Sequence, residues 1–166
     1  MVGKGPYGTR NLSERKAFQE ARMKTFELSR SNGVGSPDVA GFFDPRTFSI
    51  QYVVSDPATG KCAIIDPVHD FDEKSGATAT HHADELLAYV EEKGLEVEWV
   101  LDTHPHADHF SAARYLKEKT GAPTAIGEKV VEVQKLWRKI YHWPDLQADG
   151  SQWDRLFADG DTFRIG

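Results

Sequence analysis

Thr103-His104-Pro105-His106-Ala107-Asp108-His109 follows directly on an alternating segment, Glu96 to Asp102, that reads as a strand with Val97, Trp99 and Leu101 set against polar or smaller partners. Three of the chain's seven histidines fall within positions 104 to 109, with an aspartate among them. On an extended loop, residues two apart point to the same side, so His104 and His106 present both imidazoles to one ion. Asp108 is placed where a helix is expected to begin, able to cap free N–H groups or bind a cation, and His109 in the first turn swings back toward the same cavity. His104, His106, Asp108 and His109 are therefore the candidate metal ligands. Neutral imidazole and carboxylate suit zinc, iron and manganese alike, so ligand type alone leaves the metal open.

Outward from this loop the pattern is alternating α and β. Upstream, Thr47 to Val54 is β-branched and aromatic, and Lys61 to Ile65 repeats that character after the turn Asp56-Pro57-Ala58-Thr59-Gly60, which predicts a hairpin. The second strand is almost wholly apolar, as expected of a central strand covered on both faces, and it ends in Asp66-Pro67. Thr80 is placed to cap a helix from His81 to Lys93 with Leu86, Leu87 and Val90 inside and Gly94 at its end. Downstream, Phe110 to Lys119 reads as a helix closed by Gly121, and Pro123 to Ile126 as a short strand. Glu128 to Tyr141 has helical spacing through Val131, Val133, Leu136 and Ile140, residues 142–154 read as an irregular loop, and Thr162 to Ile165 as the start of another strand. At the N-terminus, residues 1–36 read as a flexible arm followed by an extension helix from Asn11 to Arg30, broken by SNGVGSPDVAG; residues 37–166 form the domain.

The 166 residues, 39% hydrophobic, suffice for one domain with its own core. A net charge of −6 gives no basic face for a phosphate backbone, so nucleic acid is not an expected partner. No apolar run approaches a membrane span. The single cysteine, Cys62, cannot form an internal disulfide, which fits a reducing compartment; the cytoplasm is the expected location. A mitochondrial address is the lesser alternative, since Glu14, Glu20 and Glu27 interrupt the Lys, Arg and Ser of residues 1–36.

The remaining candidates are weighed individually. His81, His82 and His142 are expected to be surface or packing residues: a charged imidazolium is disfavoured at the helix N-terminus that His81 and His82 occupy, and His142 lies beside Trp143-Pro144 in a loop. Cys62 lies inside a buried strand and reads as a small core residue. Asp66, a carboxylate ending a buried strand, must find hydrogen bonds; loop N–H groups or a histidine of the metal site are its expected partners, so its role is either to support the metal site from behind or purely structural.

The run His104 to His109 resembles the signature of the metallo-β-lactamase superfamily, His-x-His-x-Asp-His after a strand. The neighbouring pieces Thr47 to Val54, Ile65-Asp66-Pro67-Val68 and Asp159-Gly160-Asp161-Thr162-Phe163-Arg164-Ile165-Gly166 follow in the order found in persulfide dioxygenases and related glyoxalase II-like enzymes, over roughly Gly41 to Gly166. Ile65-Asp66-Pro67-Val68 and Ala107 tilt the resemblance toward the dioxygenase branch. It implies the α/β fold of an αββα sandwich, of which this chain carries the N-terminal part, and a mononuclear iron that oxidises glutathione persulfide. His104 then carries over most securely as an Fe(II) ligand, whereas a glyoxalase II-like enzyme would use all four motif residues across two metals, with Zn(II) the alternative ion.

In both branches the remaining ligands, a histidine and an aspartate, come from segments beyond an Asp-Gly-Asp strand. The resemblance therefore implies a truncated chain or a half-domain that binds metal weakly and has little or no activity, an inactive N-terminal fragment of such an enzyme. The expected substrate is glutathione persulfide or another glutathione thiol derivative. The alternatives are a glyoxalase II-type thioester hydrolase with zinc-bound hydroxide and a non-catalytic binding module that kept the fold. Half a sandwich leaves apolar sheet uncovered, which favours self-association into a homo-oligomer or a partner.

Overall fold

The computed structural model describes residues 26–166. Its strands are β1 (Phe26–Ser29), β2 (Asp38–Asp44), β3 (Ser49–Ser55), β4 (Lys61–Ile65), β5 (Val68–Phe71), β6 (Thr78–Ala79), β7 (Glu96–Leu101), β8 (Phe110–Ser111), β9 (Thr124–Gly127) and β10 (Arg155–Phe157). The helices are α1 (His81–Glu92), α2 (Ala113–Thr120) and α3 (Val130–Ile140). Seven strands form one sheet in the order β1-β2-β3-β4-β7-β9-β10, and three short ones a second, β6-β5-β8.

The sheet is antiparallel from β1 to β4 and parallel from β4 through β7 and β9 to β10. The change follows from the connections. The β3–β4 hairpin closes at Gly60, where φ is 72°, with the Asp56 carboxylate accepting from Ala58 N at 3.1 Å and Thr59 Oγ1 at 2.6 Å. From β4 onward each return to the sheet runs through a helix, which makes the strands parallel. Gly121 ends α2 with φ 75°, its N–H bonded to Lys117 O at 2.8 Å.

Ala83, Leu86 and Val90 of α1, with Ala113 and Leu116 of α2, cover one face of the sheet and pack with Phe42, Val53, Cys62, Ile64 and Val100. The opposite face carries a smaller cluster, Ala63, Leu101 and Ala125, edged by Ile65, Trp99, Phe157 and Ile165. A register shift opposite Cys62 and Ala63 leaves Glu98 as an extra residue in β7. The simple alternation expected of that strand is thereby corrected: Val97 packs with the helix-side core, while Trp99 and Leu101 turn to the other face.

Other expectations are also revised. Residues 26–29, read as the end of an extension helix, are strand β1, hydrogen-bonded to β2; the earlier part of that helix and the arm lie outside the described residues. Strand β2 begins inside the segment read as a break. Phe110 and Ser111 pair with His69 and Val68 rather than opening a helix, so α2 starts at Ala113. In α3 the buried residues are Val130 and Gln134, while Leu136 and Ile140 are more than half exposed. No strand forms at residues 162–165: Phe163 and Ile165 instead pack against Trp99 and Phe157, and the strand beside β9 is β10. No helix among the described residues is long and apolar enough to cross a membrane.

Candidate metal centre

Strands β4 and β7 are parallel neighbours with Ile65 beside Leu101, so the segments leaving their carboxyl ends emerge at one edge of the sheet, where ligand sites of α/β folds collect. Asp66 turns out of β4 with φ 53°, a left-handed conformation that a non-glycine residue holds only when its surroundings fix it. Its amide donates to Leu101 O at 2.8 Å. Its carboxylate reaches the motif loop, accepting from Thr103 N (2.7 Å), Thr103 Oγ1 (2.8 Å) and His106 Nε2 (3.0 Å).

These bonds assign the imidazole tautomers. The single hydroxyl proton of Thr103 is directed to Asp66, so at its 2.8 Å contact with His104 the threonine oxygen accepts from Nδ1–H and leaves the Nε2 lone pair of a neutral His104 for a ligand. Likewise the Asp66 carboxylate holds the proton on His106 Nε2, leaving Nδ1 basic in the neutral ring. One strand-end aspartate thus orients both imidazoles of the His-x-His pair, the role that outer hydrogen-bond partners play at metal sites.

The three motif rings adjoin one another: His106 and His109 stack with centroids 4.2 Å apart and planes 29° off parallel, and His104 lies 4.3 Å from His106 with its plane tilted by 56°. Ligand atoms of His106, Asp108 and His109 lie within 4.8 Å of one another, and so do those of Asp66, Asp102 and His106. His104 belongs to neither group; it sits exposed beside them, its ring against His106. The His109 side chain is 1% exposed, yet neither ring nitrogen has a hydrogen bond; Asp108 Oδ2 stands 3.2 Å from Nδ1 without hydrogen-bond geometry. A buried imidazole with both nitrogens orphaned is costly in a protein interior, and a cation is the partner its chemistry suits. The donor set therefore fits a divalent ion.

Charge in the site is balanced locally. Burial opposes the charged form of His106, but the Asp66 hydrogen bond and the charges of Asp66, Asp102 and Asp108 raise its pKa above the ordinary value. Burial would raise the Asp66 carboxyl as well, and the bonds from His106 and Thr103 bring it below the carboxylate norm. Asp102 is pushed up by burial, despite bonds from Ser111 Oγ (2.7 Å) and Trp153 Nε1 (2.9 Å), and its carboxylate lies 3.9 Å from His106 Nε2. Asp102 was missed as a site residue because it reads simply as the end of a strand.

A second buried polar knot corrects the reading of His82. This residue is clamped between two aspartates: Nδ1 makes a short contact to Asp70 Oδ1, and Nε2 lies 3.3 Å from Asp44 Oδ1. The Asp44 side chain is 1% exposed and the Asp70 side chain 8%. Asp44 also accepts from Arg46 N (3.0 Å), Thr47 N (3.3 Å) and Thr47 Oγ1 (2.6 Å), which fixes the β2–β3 turn. The knot is invisible in the sequence because its members lie in three elements with no shared spacing. His81 and His142 are exposed.

Both clusters contribute to one cavity of about 300 Å³, lined by His106, Asp108 and His109 and by Asp44, Arg46 and Asp70, with Phe71 and Phe110 also in its lining. A model of the metallo-beta-lactamase superfamily matches residues 46–164.

The chain belongs to the metallo-β-lactamase superfamily.

The superfamily's mixed α/β fold is present here in part, as the motif implied. The chain is 67% identical over 147 residues to a beta-lactamase hydrolase-like protein of Xylella fastidiosa (strain 9a5c), covering 85% of this chain and 34% of that one. It is 48% identical over 118 residues to glyoxylase B2 of Dictyostelium discoideum, covering 70% and 40%. With the mitochondrial persulfide dioxygenase of Homo sapiens it shares 25% identity over 147 residues, covering 87% and 46%. The chain spans 30% to 34% of the length of the bacterial beta-lactamase hydrolase-like proteins it matches.

Proposed function

We propose that this metallo-β-lactamase superfamily chain carries the metal-binding part of an iron-dependent persulfide dioxygenase acting on glutathione persulfide, with His104, His106, Asp108 and His109 as its metal-binding residues. The observation that carries the reading is the orphaned, buried His109 imidazole beside His106 and Asp108: imidazole and carboxylate donors converging there suit a divalent ion, iron among them. The likeness to a persulfide dioxygenase over 87% of this chain supports it. Iron(II) in such a donor set supplies open coordination positions for a sulfur donor and dioxygen.

The chain's own residues do the rest. Asp66 holds the protons on His104 Nδ1, through Thr103, and on His106 Nε2, directly, which would leave the other ring nitrogen of each free to hold a metal ion. Asp108, 48% exposed at its side chain, brings negative charge to the cavity wall; burial opposes that charge, but the neighbouring His109 and His106 hold its carboxyl below the usual carboxylate range. The buried Asp102 carboxyl stands behind His106, on the strand side of the loop.

Oxygen uptake tests the proposal. The Fe(II)-loaded chain is expected to consume oxygen slowly with glutathione persulfide, and His109→Ala to abolish that uptake. A specific observation favours a second reading: a second group of candidate ligands, Asp66, Asp102 and His106, adjoins the first, and a relative at 48% identity is named glyoxylase B2. Hydrolysis of lactoylglutathione under nitrogen by the Zn(II)-loaded chain, without persulfide-dependent oxygen uptake, would replace the first reading by the second.

A further inference from the structure

The cavity that the histidine cluster faces also has a cationic residue in its lining. Among the described residues Arg46 is the only lysine or arginine there, and three of the carboxylates beside it are already engaged: Asp44 and Asp70 with His82, and Asp108 beside His109. Glu73 also lines the cavity, which makes Arg46 the one permanently cationic side chain among its described lining residues. Among the described residues no carboxylate forms a salt bridge with Arg46, although its charge reaches Asp72. Its Nη2 donates to Phe71 O at 2.7 Å, which pins the guanidinium to β5 while the planar group retains further N–H donors.

The Arg46 backbone is held just as firmly, its amide bonded to Asp44, which the His82 clamp fixes from the other side. Next to it, Phe71 and Phe110 meet edge to face with centroids 5.0 Å apart, 37% and 55% exposed, forming an apolar lip on the same cavity.

We propose that Arg46 anchors a carboxylate of the substrate, with the Phe71–Phe110 lip taking its methylene and sulfur portion, so that the reacting sulfur is delivered toward His106 and His109. This selects small, carboxylate-bearing thiol derivatives over neutral or cationic ones. It rests on the reading of the site as one for a thiol-derived substrate, and it deepens that reading by naming the residue that confers specificity.

Calorimetric titration of the chain with glutathione and with glutathione diethyl ester, whose carboxylates are masked, tests it apart from any turnover. Wild type is expected to bind glutathione about tenfold more tightly than the diester; Arg46→Ala should bind both equally weakly, and Arg46→Lys should keep part of the preference. Circular dichroism confirms that each variant is folded. Equal binding of the two ligands by wild type, unchanged glutathione binding in Arg46→Ala, or no binding of millimolar glutathione would overturn the anchor. If the preference depends on Arg46 but no oxygen uptake is found, the anchor stands and the dioxygenase reading falls. Oxygen uptake with a KM unmoved by Arg46→Lys and Arg46→Ala removes the anchor and leaves the dioxygenase reading standing.

Discussion

Asp66 concentrates the site's design in one residue. It adopts a backbone conformation with φ 53° and through it reaches Thr103 and His106, setting which nitrogen of His104 and of His106 is free to bind. Asp66→Ala is expected to weaken Co(II) or Fe(II) binding by roughly 10- to 100-fold, the usual cost of losing such a partner, while the chain stays folded; competitive chelator titration measures it. Cys62 shows the opposite case. It is 0% exposed in the central strand, and burial pushes its thiol up to about 12. Iodoacetamide should therefore leave it unlabelled in the native protein at neutral pH and alkylate it on denaturation, as intact mass will show. Its place in the core is legible from the unbroken apolar run of β4, which periodicity reveals directly. The left-handed turn of Asp66 has no such signal, because it depends on partners 37 and 40 residues away.

Elements whose pattern was self-contained were legible: the β3–β4 hairpin, α1, α2 after its first turn, and β9 follow from period and from Gly60, Gly94 and Gly121. Elements that exist only through a neighbour were not. β1 needs β2, β8 needs β5, and β10 needs β9; β8 and β10 are only two and three residues long, and the alternation of Phe26-Glu27-Leu28-Ser29 in β1 is hidden at the end of a stretch with helical spacing. The Asp44–His82–Asp70 knot joins β2, α1 and β5 in the same way. His82→Leu leaves two buried carboxylates facing an apolar group and should cost about 3 kcal/mol or more in urea unfolding, the order expected for breaking a buried pair.

Asp154, in the loop before β10, bonds Lys117 Nζ at 2.5 Å and Thr124 N at 2.8 Å, and the lysine together with those bonds lowers its carboxyl from 3.8 to about 2. A depressed folded-state pKa means stabilisation that is complete above the unfolded value and lost as pH falls toward about 2. The melting-temperature gap between wild type and Asp154→Asn should accordingly be constant above about pH 5 and close between about pH 4 and 2.

At the scale of the whole molecule, the helix-covered face of the large sheet is packed, while the other carries Phe43 (42% exposed) and Ile50 (45%) as a cross-strand pair, with Trp99 and Phe163 further along. Exposed apolar area of this kind favours association, so sedimentation of the isolated chain should give an apparent mass above 18.6 kDa that falls on dilution. The fold places its chemistry at the opposite kind of feature, the edge where β4 and β7 end together, and the proposed function depends on the histidine loop there binding a divalent ion. Native mass spectrometry with parallel thermal unfolding, in wild type, His106→Ala and His109→Ala, tests that binding most directly. An Fe(II) or Zn(II) ion is expected on wild type with a metal-dependent rise in melting temperature, and loss of both in either variant. Metal bound equally by all three proteins, or no rise in wild type, would contradict it.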